Sequence, residues 1–224
     1  MLGCRLNYSN QSHALFLLHE IFVNASYAFT HQSASPRIID CGANIGFSIA
    51  FFKFFCPQAF IIAFEPEPQT FSHLAQNISQ NGWHDVQLHQ AAVSDHDGTL
   101  LLYSNPTDAD SILASVDPAW GGGRPQTVPS IRLSSLIRQP VDFLKMDIEG
   151  AEYVVLQDLL SSGTLDQVQE TIIEYHPTPN ASQVRENLVA QMQMAGWQVT
   201  RRADSISSPT GLLHAIKISP SARS

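Results

Sequence analysis

The stretch Ile38-Ile39-Asp40-Cys41-Gly42-Ala43-Asn44-Ile45-Gly46 narrows the folds open to this chain more than any other. An apolar run ends in an acid, and a turn of small residues opens a helix-patterned segment, Gly46–Phe55, that Pro57 ends. A second apolar run, Phe60–Phe64, ends in Glu65-Pro66 and is followed by a helical pattern over Pro68–Asn81, stopped by Gly82. Val86–Val93 reads as a third strand. After a break, the alternation resumes with Asp142–Met146 (strand), Ala151–Ser161 (helix), Thr171–Tyr175 (strand) and Ser182–Ala195 (helix). Strands alternating with helices call for an α/β fold: a Rossmann-like, doubly wound, mostly parallel sheet with helices on both faces. Trp197–Arg201 and Leu212–Ile218 read as a closing hairpin-like pair.

The first loop and Glu65 together suggest a ligand. In such folds glycines let backbone approach the ligand, helix-terminal N–H groups face a negative group, and an acid after the second strand accepts ribose hydroxyls. Dinucleotide folds space three glycines as G-x-G-x-x-G. Here Asn44 occupies the middle slot, which disfavours a pyrophosphate and suits S-adenosylmethionine, a phosphate-free ligand. Asp40 is placed to take its ammonium, the N–H groups of the Gly42–Gly46 turn its carboxylate, and Glu65 its ribose. The competing reading is a tight strand-to-helix turn whose glycines serve packing alone.

The 224 residues fit one α/β domain, expected over 37–224 behind a helical lead-in over 1–36. In the lead-in, Leu17, Leu18, Ile21, Phe22 and Ala25 recur at helical spacing, predicting a helix over His13–Phe29; His19, Glu20 and Asn24 make it too polar to cross a bilayer. Net charge is −8 and only Lys53, Lys145 and Lys217 are lysines, which argues against a phosphate-backbone partner. Cys4, Cys41 and Cys56 have no metal-type spacing and read as free thiols of a cytoplasmic enzyme. A small-molecule acceptor is the expected partner, with no nucleic acid and no membrane; a homodimer is allowed. Thr99–Tyr103 reads as an extra strand. Asn105–Pro129, with four prolines, Trp120 and Gly121-Gly122-Gly123, reads as an irregular insertion, either a lid or a surface loop.

A second constellation lies at Lys145-Met146-Asp147-Ile148-Glu149-Gly150-Ala151-Glu152, at the carboxyl end of an inner strand where open sheets bind ligands. A lysine in such a strand is costly unless paired. The next strand ends in Glu174-Tyr175-His176-Pro177. Three readings stand. His176, or Lys145 with its pKa lowered by burial, is a base taking a proton from a hydroxyl. Asp147, Glu149 and Glu174 form an oxygen-rich divalent metal site. Or the group is a structural ion-pair network.

The blocks IIDCGANIGFSIAFF, IIAFEPEPQTFSHLAQNI, AAVSDHDG, FLKMDIEGAE and IIEYHP, in that order, resemble the FkbM-type S-adenosylmethionine-dependent methyltransferases over about Ile38 to Pro177. The resemblance implies a seven-stranded sheet with one antiparallel edge strand, and methyl transfer, usually to oxygen, on small molecules such as polyketides or sugars. It implies that Asp40, Gly42, Ala43, Asn44 and Gly46 line the methionine end and Glu65 the ribose. Ala92, in the Gln90–Val93 segment, would lie by the adenine. The Lys145–Glu152 motif, with Lys145 and Asp147, would flank the transferred methyl and the acceptor. A nicotinamide-dependent oxidoreductase and a non-catalytic adenosine-ligand-binding scaffold are the alternatives; Asn44 disfavours the first, and the strand lysine with its acids the second.

Overall fold

Five parallel strands fix the centre of the protein. In the computed structural model, which describes residues 3–104, 115–116, 118, 123–176, 181–202 and 210–218, β1 (Arg37–Cys41), β2 (Phe60–Phe64) and β3 (Val86–His89) run parallel. A small second sheet holds β4 (Ala92–Ser94), β5 (Gly98–Ser104) and β6 (Arg124–Arg132). The main sheet continues with β7 (Val141–Met146), β8 (Val168–Tyr175), β9 (Trp197–Arg202) and β10 (Gly211–Lys217), in the order β3-β2-β1-β7-β8-β10-β9. The sheet is mostly parallel, as expected. Its one antiparallel strand, β10, lies between β8 and the edge strand β9 rather than at the edge itself.

Helices cover both faces: α1 (Gln11–Leu18), α2 (Phe47–Phe55), α3 (Pro68–Gln80), α4 (Leu133–Leu136), α5 (Glu152–Ser161) and α6 (Ala181–Met194). Successive strand residues feed opposite cores, which is why Ile38-Ile39, Ile61-Ile62 and Phe143-Leu144 are apolar pairs rather than alternating with polar residues. Ile39, Ile62 and Leu144 pack with Val155, Leu156 and Leu188 of α5 and α6. Ile38, Ile61 and Phe143 pack with Ile49 and Phe52 of α2 and with Ile21 and Tyr27 of the lead-in.

Three expectations change. Val86–Val93 is two strands in two sheets, parted at Gln90-Ala91. Residues 124–129 of the expected insertion belong to β6. Its partner β4 reaches only Ser130–Arg132, so Pro125 and Pro129 lie where β6 is paired on one side only, as strand prolines require. The insertion's residues 105–114, 117 and 119–122 lie outside the described residues, as do residues 203–209 between the expected closing pair of strands. The lead-in helix is shorter than the His13–Phe29 pattern. Asn10 caps it through Ser12 N and His13 N, it widens to a π-helical turn at His19–Val23, and it ends at Ala25 (φ 52°). Ser26 closes it by donating its hydroxyl to Glu20 O at 2.9 Å.

The link from lead-in to sheet is held by one buried acid. Glu170 on β8 accepts from Thr30 N (3.0 Å), Thr30 Oγ1 (2.7 Å) and His214 Nε2 (2.7 Å), while Phe29 stacks on Phe143 at 4.4 Å. Burial alone would raise this carboxyl; the bonds from His214 and Thr30 outweigh it and hold the pKa below its ordinary value. A depressed folded-state pKa adds stability above the ordinary carboxyl range and loses it as pH falls through the folded value. Glu170→Ala is therefore expected to lower unfolding free energy by about 1–3 kcal/mol near neutral pH. The gap to wild type should narrow on titration towards about pH 3. Urea denaturation at several pH values checks this, and a gap constant with pH would refute the assigned role.

Candidate active site

The carboxyl ends of β1, β2, β7 and β8 open on a cavity of about 340 Å³, with the lead-in forming one wall. That size falls in the roughly 300–1,000 Å³ range of small-molecule pockets. The sheet contributes Gly42, Asn44, Glu65, Asp147, Glu149, Glu174 and His176, the lead-in Phe16, Glu20 and Tyr27, and the small sheet Ala92 and Leu102.

Lys145 organises the floor. It is the register partner of Asp40 across β1 and β7, and it is 2% exposed. Its Nζ donates to Gly42 O at 2.6 Å and lies 3.4 Å from Asp40 Oδ1 and 3.5 Å from Asp147 Oδ2. It also sits 5.1 Å from the centroid of the Tyr27 ring, whose hydroxyl donates to Asp147 Oδ2 at 3.3 Å. Ser48 at the start of α2 donates to Asp40 Oδ2 at 2.5 Å. Burial pulls the lysine pKa down, but the charges of Asp40, Asp147 and Glu174 outweigh it and the pKa is raised. Lys145 therefore keeps its proton. The expectation of a base with a burial-lowered pKa is corrected, because three acids surround the ammonium.

The loop above is shaped by contact, not by composition alone. Gly42 has φ +86°, and a Cβ there would lie 1.8 Å from Asp147 O. Gly42 N and Ala43 N both donate to Phe64 O, and Asn44 holds φ 48°. Asn44 N then donates to Glu65 Oε2 (3.0 Å), and Glu67 N to Glu65 Oε1 (2.9 Å). Glu65 is 6% exposed. Burial raises its pKa, two backbone bonds resist, and the result is about 7.

His176 is clamped at both nitrogens. Nδ1 meets Glu152 Oε1 at 2.8 Å and Nε2 meets Glu149 Oε2 at 3.3 Å. Burial lowers the imidazole pKa, yet Glu152 and then Glu149 outweigh it, bringing it to about 10. A ring that holds its proton at neutral pH is a cation or an acid, so the expectation of His176 as a base is corrected. Glu152 in turn accepts from Ile148 N and Gly150 N, bracing the loop after β7. Glu149 in that loop holds φ 53°, and its carbonyl accepts from Ser115 Oγ at 2.5 Å. Burial, then Asp147, pushes Glu174 well above the usual carboxylate range.

Of the expected ligand-binding residues, Gly42, Asn44, Glu65, Ala92 and Asp147 line the cavity. Asp40, Ala43 and Gly46 are buried behind it: Asp40 is fully buried and engaged by Ser48 and Lys145, so it does not reach a ligand ammonium. Among the metal candidates, Asp147 and Glu149 group with His176 rather than with Glu174. The lead-in residues Glu20 and Tyr27 were not anticipated as site residues. The polar break in the lead-in pattern, from His19 to Asn24, was the available signal.

Lys145→Met strands buried Asp40 beside Ser48 and is expected to cost about 3–5 kcal/mol, since one member of a buried pair is left uncompensated. Asp40→Asn in the Lys145→Met background should recover part of it. Urea midpoints read both, and a wild-type midpoint for Lys145→Met would show that the pair does not hold the floor.

A family model described as the methyltransferase FkbM domain matches residues 40–198. Methyltransferase sdnD of Sordaria araneosa is 29% identical over 231 residues, covering 88% of this chain and 88% of that protein. Methyltransferase 1 of Beauveria bassiana (strain ARSEF 2860) is 31% identical over 165 residues, covering 64% of this chain and 66% of that protein. The crystal structure of methyltransferase FkbM from Methylobacillus flagellatus KT superposes with a TM-score of 0.59 at 15% identity, covering 96% of this chain but 56% of that one. The chain thus spans a little over half the length of that structure, and the likeness is one of fold. An rRNA methylase from Streptococcus thermophilus shares the fold at a TM-score of 0.52 and 12% identity, over 96% of this chain and 100% of that one. The family match starts at Asp40 and takes in the cavity residues of β1, β2, β7 and β8, and the chain belongs to the FkbM methyltransferase family.

Proposed function

We propose that this protein transfers the methyl group of S-adenosylmethionine to a hydroxyl oxygen of a small-molecule acceptor. The observation that carries the reading is the Glu65 carboxylate, set at the cavity end of β2 beside the Gly42–Asn44 turn. Each of its oxygens accepts one backbone N–H and keeps a lone pair for a ribose hydroxyl. The cavity fits the ligand in charge as well. Glu20, Glu65, Asp147, Glu149 and Glu174 line it, a set suited to a sulfonium and an ammonium.

When bound, S-adenosylmethionine supplies an electrophilic methyl, so the chain need only align the acceptor and manage one proton. Lys145 and His176 are poor proton acceptors, for the reasons given. The Asp147 carboxylate, which lines the cavity, is placed to take the acceptor's proton. Tyr27 and Lys145 hold Asp147 in place for that. The apolar part of the lining, which includes Phe16, Leu102 and Leu212, would exclude water.

Glu65→Ala should weaken S-adenosylmethionine binding at least about tenfold, because hydrogen bonds to a charged group contribute roughly 1.5–3 kcal/mol. The raised pKa adds a signature with a definite sign. Ribose hydroxyls donate to the ionised form, so below about 7 the carboxyl must first lose its proton and affinity falls as pH falls. The dissociation constant should rise by up to about tenfold per unit well below that pH. The ligand amine, with an ordinary pKa of about 7.7–8.0, stays protonated throughout this window. Calorimetry between about pH 5.5 and about pH 7 would show the slope in wild type and its loss in Glu65→Gln. A flat profile with tight binding would remove Glu65 from the ribose site. Transfer of a labelled methyl group to a panel of hydroxylated metabolites, with mass spectrometry locating it on oxygen, tests the reaction; exclusive labelling of nitrogen would overturn it.

A further inference from the structure

The geometry points to a site for one first-row divalent cation, of the Mn²⁺ class, held by Asp147, Glu149 and Nε2 of His176. One ligand atom from each of these residues lies within 4.8 Å of the others. Donors about 2.0–2.2 Å from one ion are separated by roughly 3–4.4 Å, so small rotations of side chain close this set on a cation. His176 Nε2 and Glu149 Oε2, 3.3 Å apart, stand at the spacing of adjacent ligands; the cation takes the place of the proton between them, so the ring binds as neutral imidazole and one proton is released.

The second observation is how the ring is held. His176 is 4% exposed, and Glu152, 1% exposed, takes Nδ1 at 2.8 Å. Backbone N–H groups of Ile148 and Gly150 fix Glu152 in turn. A carboxylate on one imidazole nitrogen, itself anchored, aims the other nitrogen at a metal and sets the ring's orientation. Glu149 reaches the cluster from a left-handed backbone conformation, braced at its carbonyl by Ser115 and Val116. Such strain persists only where the surroundings enforce it, and it is common at functional sites.

One imidazole and two carboxylates favour Mn²⁺, Fe²⁺ or Zn²⁺ over Ca²⁺ and Mg²⁺, which prefer all-oxygen sets. Three protein ligands leave positions facing the cavity, where water or a hydroxyl or diol of the acceptor completes the shell. That role rests on the methyl-transfer reading above; the site itself does not.

The test uses the full, tag-free chain after chelation, titrated with Mn²⁺ by calorimetry and followed by electron paramagnetic resonance. One Mn²⁺ per chain is expected, with excess Mg²⁺ competing weakly. Glu149→Gln should weaken binding at least about tenfold, and Glu152→Gln about tenfold through the ring it positions. Thermal unfolding checks both variants. If Glu152→Gln fails to fold, Glu149→Gln, altered at a cavity-facing side chain, decides alone. No saturable Mn²⁺ binding to the folded chain, or unchanged affinity in Glu149→Gln, overturns the site. S-adenosylmethionine titrated into the same chelated protein reads the other proposal separately. Cation binding without it would sink methyl transfer and leave the site, and the converse would sink the site alone.

Discussion

A lysine ammonium at the centre of a parallel sheet, 2% exposed, has no water to solvate it. Every neighbour of Lys145 answers that need. Asp40 faces it across the strand pair, Asp147 follows two residues on, just past the strand end, Gly42 offers its carbonyl, and Tyr27 gives the face of its ring. Those four partners come from β1, the loop after β1, the loop after β7 and the lead-in. One buried charge therefore ties together the parts that enclose the cavity. The costs are large on both sides: desolvating an ion is worth several kcal/mol, and the pairing must offset it. The arrangement is stable only when all partners are present, so the floor of the site has one geometry rather than several.

The same logic sorts the acids by task. Asp40 faces inward and neutralises Lys145. Glu152 faces inward and braces a loop and a ring. Glu170, far from the cavity, pins the lead-in. Glu65, Asp147, Glu149 and Glu174 face the cavity, where burial leaves Glu65, and burial with repulsion from Asp147 and Glu149 leaves Glu174, above the ordinary carboxyl range. Raised carboxyl pKa values in a cleft are a mark of a site that gains by receiving positive charge. The internal cations, Lys145 and His176, offset part of that charge from behind and from the side.

The fold was legible because burial on both faces leaves a mark in sequence. Ile38-Ile39, Ile61-Ile62 and Phe143-Leu144 carry no alternation, and Pro57, Gly82 and Gly163 punctuate the helices after them. The loop after β1 was legible for a related reason: Gly42 has no room for a Cβ against Asp147 O, so the residue type reports the close approach. What failed was the assignment of direction. Asp40 and Glu65 both end strands with an acid, yet one points into the sheet and the other into the cavity. That choice is made by Ser48 and Lys145 in one case and by Asn44 N and Glu67 N in the other. Charge states failed for the same reason. Burial alone would lower Lys145 and His176, and only knowing how many carboxylates converge on each reverses the sign.

The loop after β7 shows why a site of this kind is built from many elements. Residues 147–152 receive Cys41 O on Asp147 N, Ser115 on Glu149 O, and Glu152 on two of its own N–H groups, while His176 locks Glu152 from β8. Each bond is modest, about 1 kcal/mol net. Together they hold Glu149 in a backbone conformation that costs of order 1–3 kcal/mol for a residue with a side chain. A loop left to itself would relax that strain and swing Glu149 out to water. Holding it in place keeps Glu149 beside Asp147 and His176, so less free energy is spent on ordering these side chains when a ligand binds.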